Sequence, residues 1–314
     1  MSERMPRVTL AMPVYNGERF LHDAVESVLS QTFTDFELII TDNCSTDSTE
    51  TICRGLAARD ARIRYYRNQR NTGAADNFNL GFELARGQYL KWCAHDDLIS
   101  ADHLSYLTAA LDADPSASLA YGRTICIDAD NKIIPLIGEE MQESSSLDAI
   151  ERFSRVITRP GTCFPIFGLF RMQLLRRTTL HRPYYGSDRA LLAEAALLGP
   201  FRCVPDAVFY NRDHEQRSIN ISNKLVRSCW QNGAANKRAA SEHLNLLFHL
   251  YEVAGRHPDV ASKIRARLHV AKFAARPLQV SRYASEALCL LSPSLARELR
   301  SLLRPNKTNH TLQT

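Results

Sequence analysis

The first hundred residues alternate between short apolar runs and helical stripes, and polar residues stop each apolar run. Residues 7–12 read as a strand ending at Pro13, residues 36–41 as a second stopped by Asp42 and Asn43, and residues 62–66 as a third. Between them, residues 17–31 place Phe20, Leu21, Ala24, Val25, Val28 and Leu29 at helical spacing. Ser45 and Thr46 open a helix reaching about residue 58, and Asn71-Thr72-Gly73 leads into another ending at residue 86. Strands and helices alternating this way predict right-handed βαβ units and a mostly parallel α/β sheet.

Residues 88–94 are apolar, too short for a comfortable helix, preceded by Gly87 and followed by the paired carboxylates Asp96 and Asp97. That pattern predicts a buried strand with acid at its C-terminal end, where ligands sit in open α/β sheets. Tyr15, Asn16 and Glu18 follow the first strand, Asp42, Asn43 and Ser45 the second, and the acidic pair the fourth, so these groups should line one crevice. Adjacent carboxylates repel and cost desolvation energy unless a cation or donors compensate, which a divalent metal would do. Equally, Asp97 or Ser100 could cap a helix beginning near Ala101. Gly-x-Gly-x-x-Gly is absent and the first loop begins with Pro13, which weakens a dinucleotide-binding reading.

Further along, residues 101–113 predict a helix ended by Asp114-Pro115, and residues 117–127 a strand entering a hairpin through residues 128–132. Residues 139–146 read as a polar loop near a substrate, residues 147–157 as a helix broken at Arg159-Pro160-Gly161, and residues 162–170 as an apolar strand-like run. Gly186-Ser187-Asp188 precedes a helix over 189–198, then come short strands at 201–204 and 207–210, closing on Arg212-Asp213-His214. From Leu225 the chain is helical. Leu244, Leu247, Phe248 and Tyr251 form one apolar stripe and Ile264, Leu268 and Ala271 another, with Lys263, Arg265, Arg267 and Lys272 on other sides. Fraying is expected after Pro305.

Composition narrows the class. At 314 residues, with 45% hydrophobic and 23% charged, the chain can bury a large core, and no apolar run approaches the roughly 20 residues a membrane-spanning helix needs. The N-terminus carries no apolar signal core, which points to a cytoplasmic protein. Eight cysteines are scattered without a C-x-x-C and read as reduced thiols, neither a disulfide framework nor a zinc site. Net charge is +5, but residues from Asn223 onward hold 15 Lys and Arg against 5 Asp and Glu, so the basic character lies in the tail. No nucleic-acid module accompanies it. The tail reads either as a solvated helical surface or as a peripheral contact with an anionic membrane.

Several motifs in order resemble the family 2 glycosyltransferases of GT-A fold. They are Met12-Pro-Val-Tyr-Asn-Gly-Glu18, Ser27-Val-Leu-Ser-Gln-Thr-Phe33, Phe36-Glu-Leu-Ile-Ile-Thr-Asp-Asn43 with Ser45-Thr-Asp47, Asn71-x-Gly73, Ala85-Arg-Gly87, His95-Asp-Asp97, Gly186-Ser-Asp188 and Tyr210-Asn-Arg-Asp-His214. The likeness covers roughly residues 6–218. It implies a GT-A domain over residues 1–222, with a nucleotide-sugar half to about residue 125 and an acceptor half over 126–222, followed by a basic helical region at 223–314. It also implies inverting transfer of a sugar from a nucleotide diphosphosugar, a UDP-sugar foremost, to a glycan or lipid-linked acceptor in cell-surface polysaccharide assembly. In that picture Pro13, Tyr15, Glu18, Asp42, Asn43, Asn71 and Asn77 surround the nucleotide, and Asp96, Asp97 and His214 hold Mg²⁺ or Mn²⁺. Arg212 contacts the diphosphate, and Asp188 is the base that takes the acceptor proton. Asp188 could also serve as a helix cap. Ala94 stands where many members carry the first acid of the DxD motif, and His95 takes its variable middle position. A non-catalytic nucleotide-sugar or glycan-binding protein is the alternative; a sugar nucleotidyltransferase fits less well, because residues 13–17 lack a basic, Gly-rich loop.

Overall fold

The computed structural model describes residues 5–135, 148–158, 162–234, 236, 238 and 240–292. In chain order the elements are β1 (Val8–Val14), α1 (Leu21–Leu29), β2 (Phe36–Asp42), α2 (Thr49–Arg59), β3 (Ile63–Arg67), α3 (Ala74–Glu83) and β4 (Tyr89–Trp92). Then follow β5 (Leu98–Ile99), α4 (His103–Ala113), β6 (Leu119–Ile127), β7 (Ile133–Ile134), α5 (Ala149–Thr158), β8 (Leu169–Arg171), α6 (Met172–Leu175), α7 (Ser187–Leu198) and β9 (Phe201–Arg212). The last four helices are α8 (Lys224–Asn232), α9 (Glu242–Val253), α10 (Lys263–Ala274) and α11 (Pro277–Leu291).

One mixed sheet runs β3-β2-β1-β4-β8-β6-β9-β5, with β7 attached to β6. The β3, β2, β1 and β4 strands are parallel, as βαβ units require, and β8 reverses direction. Alternation along the strands divides the core. Val8, Leu10, Met12 and Val14 face one side with α1, α2 and α4, while Ala11, Leu90 and Trp92 face the other with α5, α7, α9 and α10.

Four expectations are corrected. Pro13 does not end β1, because β4 pairs with β1 only as far as Ala11 and no ladder bond on that side needs its amide; Pro13 and Val14 pair instead with Thr41 and Asp42 of β2. The run at 162–170 is a 3₁₀ turn over Phe164–Phe167, with Pro165 in its first turn, and only Leu169–Arg171 is strand. The two short strands at 201–204 and 207–210 are one strand, with a register irregularity against Gly122 and Thr124. Gly122 is required there, since a Cβ would collide with the Ala207 carbonyl oxygen. Finally, the apolar stripes of α9 and α10 are only partly buried: Phe248 is 67% exposed, Ile264 74% and Leu268 55%, while Leu247 packs against the core that Leu250, Val253, Ala266, Val270 and Phe273 enter. The polar loop at 139–146, the break at 159–161 and the tail after Pro305 lie outside the described residues.

A buried polar chain explains the rotation of α9. Thr179 Oγ1 donates to Glu194 at 2.8 Å and so accepts from His249 Nε2 at 2.7 Å, leaving His249 Nδ1 to accept the Tyr184 hydroxyl at 2.8 Å. Burial pushes His249 down to about 4, consistent with this neutral tautomer. Glu194, fully buried on α7, also takes His257 Nε2 at 2.8 Å and Arg256 Nε at 3.0 Å. Turning His249 inward carries Leu250 and Val253 with it and turns Phe248 out. Removing the Glu194 carboxylate leaves four donors, the Thr179 amide and hydroxyl, His257 and the partly exposed Arg256, without their acceptor. Glu194→Ala is therefore expected to lower stability by about 3 kcal/mol in urea unfolding, and a loss near zero would contradict this role.

Candidate active site

The site forms where parallel strands end. At the end of β1 the chain turns through Asn16 in the left-handed region (φ 52°). Asn16 accepts the Thr46 amide at 2.8 Å, Ser45 Oγ accepts the Asn16 amide at 2.9 Å, and Glu18 accepts the Ser48 amide at 2.9 Å. The loops after β1 and β2 thus hold each other. Glu18 is spent at the entrance to α2, an acidic group where the helix dipole favours one.

Beneath these loops lies a dense amide and carboxylate network. Asp42 is fully buried; it accepts the Ser45 amide at 2.8 Å and the Tyr65 hydroxyl at 2.7 Å, with Arg67 Nε at 3.3 Å. Asn43 donates to Asn71 at 2.9 Å and accepts from Asn68 and the Thr72 amide, each at 3.0 Å. Asn77 donates to the Thr41 carbonyl at 2.7 Å. Together with Pro13 inside β1, these residues stabilise the loop floor through their own bonds.

The acidic turn is organised by β9. Leu98 and Ile99 of β5 pair antiparallel with Tyr210 and Phe209, which brings Asn211 and Arg212 against the two carboxylates. Asp97 accepts the Arg212 amide at 2.8 Å and Asn211 Nδ2 at 3.1 Å. The Arg212 guanidinium, 1% exposed, lies 4.7 Å over the Phe20 ring and donates from Nε to the Asp96 carbonyl at 2.7 Å and from Nη1 to the Asp128 and Ala129 carbonyls at 3.3 Å. It therefore positions Asp96 from behind, and its Nη2 is buried without a hydrogen-bond partner among the described residues. His214 Nε2 lies 2.8 Å from Asp96 Oδ2, its ring tilted against Phe20 at 4.8 Å. Gly17 leaves room for the His95 ring, which a Cβ would meet.

These environments separate the two acids. For Asp97, burial and then the neighbouring Asp96 charge push the carboxyl up to about 8. For Asp96 burial acts the same way, but His95 and the His214 bond outweigh it and hold the carboxyl below its usual value. Asp96 is the member of the pair that carries charge.

Asp96, Asp97, His214 and Tyr15 line a cavity of about 1340 Å³ that continues to Asp188. Asp188 sits in the first turn of α7, entered through Gly186 in the left-handed region (φ 90°). One oxygen accepts the Arg189 amide at 2.9 Å, so a helix-terminus role and a cavity-facing role coexist. Burial raises its carboxyl, partly offset by Arg189 and by a bond with the Cys163 thiol. Cys163, Tyr185 and Arg227 complete this side, and no local pattern in the sequence singles them out.

The residues present fit a hard divalent cation. Asp96 Oδ2 and His214 Nε2 share a hydrogen bond at 2.8 Å, so a cation taking both would replace the proton between a carboxylate and an imidazole, the ligand types that hold such metals. Among the described residues no group of three His, Cys, Asp or Glu side chains converges. Asp97, which lines the same cavity, has both oxygens engaged by Asn211 Nδ2, at 3.1 and 3.3 Å, and one also by the Arg212 amide.

The sequence model described as Glycosyl transferase family 2 matches residues 9–178. Among curated relatives, the GalNAc(5)-diNAcBac-PP-undecaprenol beta-1,3-glucosyltransferase of Campylobacter jejuni is 24% identical over 188 residues, 60% of this chain and 59% of that protein. An uncharacterized glycosyltransferase of Haemophilus influenzae is 36% identical over 100 residues, 32% of this chain and 40% of that one. The chain spans less than two thirds of the length of the curated relatives it matches. Among solved structures, S. aureus TarS 1–349 in complex with UDP-GlcNAc superposes with a TM-score of 0.59 at 16% identity, covering 90% of this chain and 91% of that one. A Pyrobaculum calidifontis mannosyltransferase in complex with GDP-Man and Mn²⁺ gives 0.52 at 18% identity, covering 96% and 88%. The fold is thus that of the GT-A glycosyltransferases. The chain belongs to glycosyl transferase family 2.

Arg212 spans carbonyls on two sides of its planar fork, a geometry that a lysine point charge cannot reproduce. Arg212→Lys is expected to lower stability by about 2 kcal/mol in chemical unfolding, and an unchanged midpoint would contradict the positioning role.

Proposed function

We propose that the protein is an inverting glycosyltransferase that moves a sugar from a nucleotide diphosphosugar, a UDP-sugar foremost, to a hydroxyl of a glycan or lipid-linked acceptor. One observation carries this reading: a charged Asp96 held beside His214 shares a single cavity with a half-buried Asp188 whose carboxyl is raised. Residues 1–125 supply the donor half and residues 126–222 the acceptor half. Pro13, Tyr15, Glu18, Asp42, Asn43, Asn71 and Asn77 build the nucleotide end, with Tyr15 at the surface and the others shaping the loops behind it.

Asp96 and His214 would hold Mg²⁺ or Mn²⁺, a reading supported by Mn²⁺ in the Pyrobaculum complex. Such a cation would neutralise the charge that develops on the departing nucleoside diphosphate. Asp188 then orients the acceptor hydroxyl and takes its proton as the new glycosidic bond forms. A raised carboxyl suits that work, because a base performs best with a pKa closer to the operating pH. An acceptor in cell-surface polysaccharide assembly is consistent with the undecaprenol-linked substrate printed in the Campylobacter relative's name.

Titration calorimetry with UDP-, GDP-, dTDP- and CMP-sugars, with and without Mn²⁺, tests the donor half. One diphosphosugar is expected to bind in a metal-dependent manner and to lose at least about tenfold in affinity in Asp96→Ala. Asp188→Asn should keep donor binding and lose transfer by about 10²–10⁴-fold. In the wild type, transfer should fall as pH drops through the Asp188 pKa, placing the acid limb above the ordinary carboxylate value of about 3.9. Donor binding with full turnover in Asp188→Asn would refute the assigned base. Donor binding with no turnover of any acceptor in the wild type would favour the binding-protein alternative.

We also propose that α9 to α11 rest on the inner face of a membrane. Among the described residues no helix is long and apolar enough to cross one. Phe248, Tyr251, Ile264 and Leu268 are exposed on α9 and α10, and Lys263, Arg265 and Lys272 lie among them. Co-sedimentation with vesicles rich in anionic lipid, absent with neutral vesicles and reduced severalfold in Phe248→Ser/Ile264→Ser, is the expected outcome. Equal recovery from neutral and anionic vesicles would exclude the electrostatic part.

A further inference from the structure

Among the described residues, the acceptor end of the cavity carries positive charge that no carboxylate there balances. Its wall is built by α8, the start of α9 and α11. Arg227 is held bidentately by Glu242 at 2.6 and 2.8 Å, and its guanidinium lies 4.3 Å over the Tyr185 ring. Lys224 is taken by Glu286 at 2.6 Å, and the other Glu286 oxygen accepts the His243 and Leu244 amides, each at 3.0 Å. Both acids of this wall are therefore matched.

Two guanidinium groups remain. Arg276 makes one hydrogen bond, to the Thr158 carbonyl at 2.7 Å, and no ion pair among the described residues. Arg282, half-buried, has neither a hydrogen bond nor an ion pair among the described residues, although it stands close enough to His243 for its charge to be felt there. Arg276 is the residue that caps the start of α11, Gln279 and Arg282 are neighbours one turn apart on the helix, and all three line the cavity. Tyr185 lies between this wall and the base, sensing the charges of both Arg227 and Asp188. At the donor end the charge has the opposite sign, from Asp96 with Asp188 beyond it.

We propose that Arg276 and Arg282 form a subsite for a phosphate group of the acceptor, so that the sugar hydroxyl offered to Asp188 belongs to a phosphorylated molecule. Two unmatched guanidinium groups suit a dianion better than a single carboxylate, and their planar forks suit phosphate oxygens. Gln279 adds a neutral donor between them. Leu278, 61% exposed, lines the cavity next to this subsite and gives an alkyl chain a surface to lie on. The inference rests on the cavity being the glycosyl-transfer site, but its test is independent of the donor.

The probes are n-octyl phosphate below its micellar concentration, n-octyl glucoside and glycerol phosphate, titrated calorimetrically into the wild type, Arg276→Gln, Arg282→Gln, Arg19→Gln and Asp96→Ala. Octyl phosphate should bind the wild type and lose about tenfold in affinity in each α11 variant. Affinity should be retained in Arg19→Gln, a change on the donor side of the cavity, and in Asp96→Ala, where donor binding is lost. Octyl phosphate binding more tightly than glycerol phosphate identifies a lipid-borne phosphate, whereas equal affinities identify a phosphorylated glycan; both outcomes support the subsite. No binding to the wild type, equal binding in all variants, octyl glucoside binding as well as octyl phosphate, or loss in Asp96→Ala alone would each overturn it. Should donor binding fail in the wild type while octyl phosphate still depends on Arg276 and Arg282, the proposed donor site falls and the anion subsite stands.

Discussion

The antiparallel pairing of β5 with β9 is the contact on which the site depends. Two residues of β5 place the acidic turn against the end of the longest strand, so the spacing of Asp96 and Asp97 is set by backbone register rather than by a flexible loop. Adjacent buried carboxylates cannot both ionise cheaply. Asn211 and the Arg212 amide receive Asp97 from one side, and His214 reaches Asp96 three residues beyond Asn211, so one stretch of chain gives the two acids different fates. The Arg212 guanidinium then ties the Asp96 carbonyl to the turn after β6, joining three segments of chain at one cation.

The same logic, polar groups deciding orientation, operates at the C-terminal helices. Leu244, Leu247, Phe248 and Tyr251 form the stronger apolar stripe of α9, and transfer free energy alone would bury it. His249 is satisfied by facing Tyr184 and Thr179, and Glu194 by facing Thr179, His257 and Arg256. An unmet buried donor costs as much as a buried side chain contributes, so the network competes on equal terms with the stripe. Leu250 and Val253 supply the apolar contact on the chosen face, and α10 follows with Ala266, Val270 and Phe273. As a result, α9 and α10 share the core of α5 and α7, and α11, packed against α9 and α10, is brought to the cavity wall.

This competition also marks what the sequence could convey. The parallel half was legible because strand and helix periods differ and each loop carried its own turn residues, as at Asn16 or Asp42. The acidic turn was legible as a cluster after a strand. What could not be read was direction: Asp97 and Arg212 belong to the right segment, yet whether their side chains face the cavity or the scaffold depends on Asn211, more than a hundred residues from Asp97. The join of residues 201–204 to 207–210 was hidden because Pro205 and Asp206 resemble a break. Only the pairing with Gly122 on another strand shows that β9 passes through them as an irregularity. Arg276 and Arg282 looked like ordinary solvated charges because their surroundings come from α8 and α9.

Charge along the cavity follows from these placements. At one end the β9 register leaves Asp96 ionised and open on one side, a group that calls for a cation. At the other, Glu242 and Glu286 neutralise Arg227 and Lys224, and among the described residues no carboxylate pairs with Arg276 or Arg282, the groups on which the proposed anion subsite rests. Between them burial raises the Asp188 carboxyl, while Arg189 and the Cys163 thiol favour its charged form. The restraint on its pKa therefore comes from its immediate neighbours and not from the arginines at the far end of the cavity, so filling the proposed subsite would leave the basicity of Asp188 set by its own surroundings.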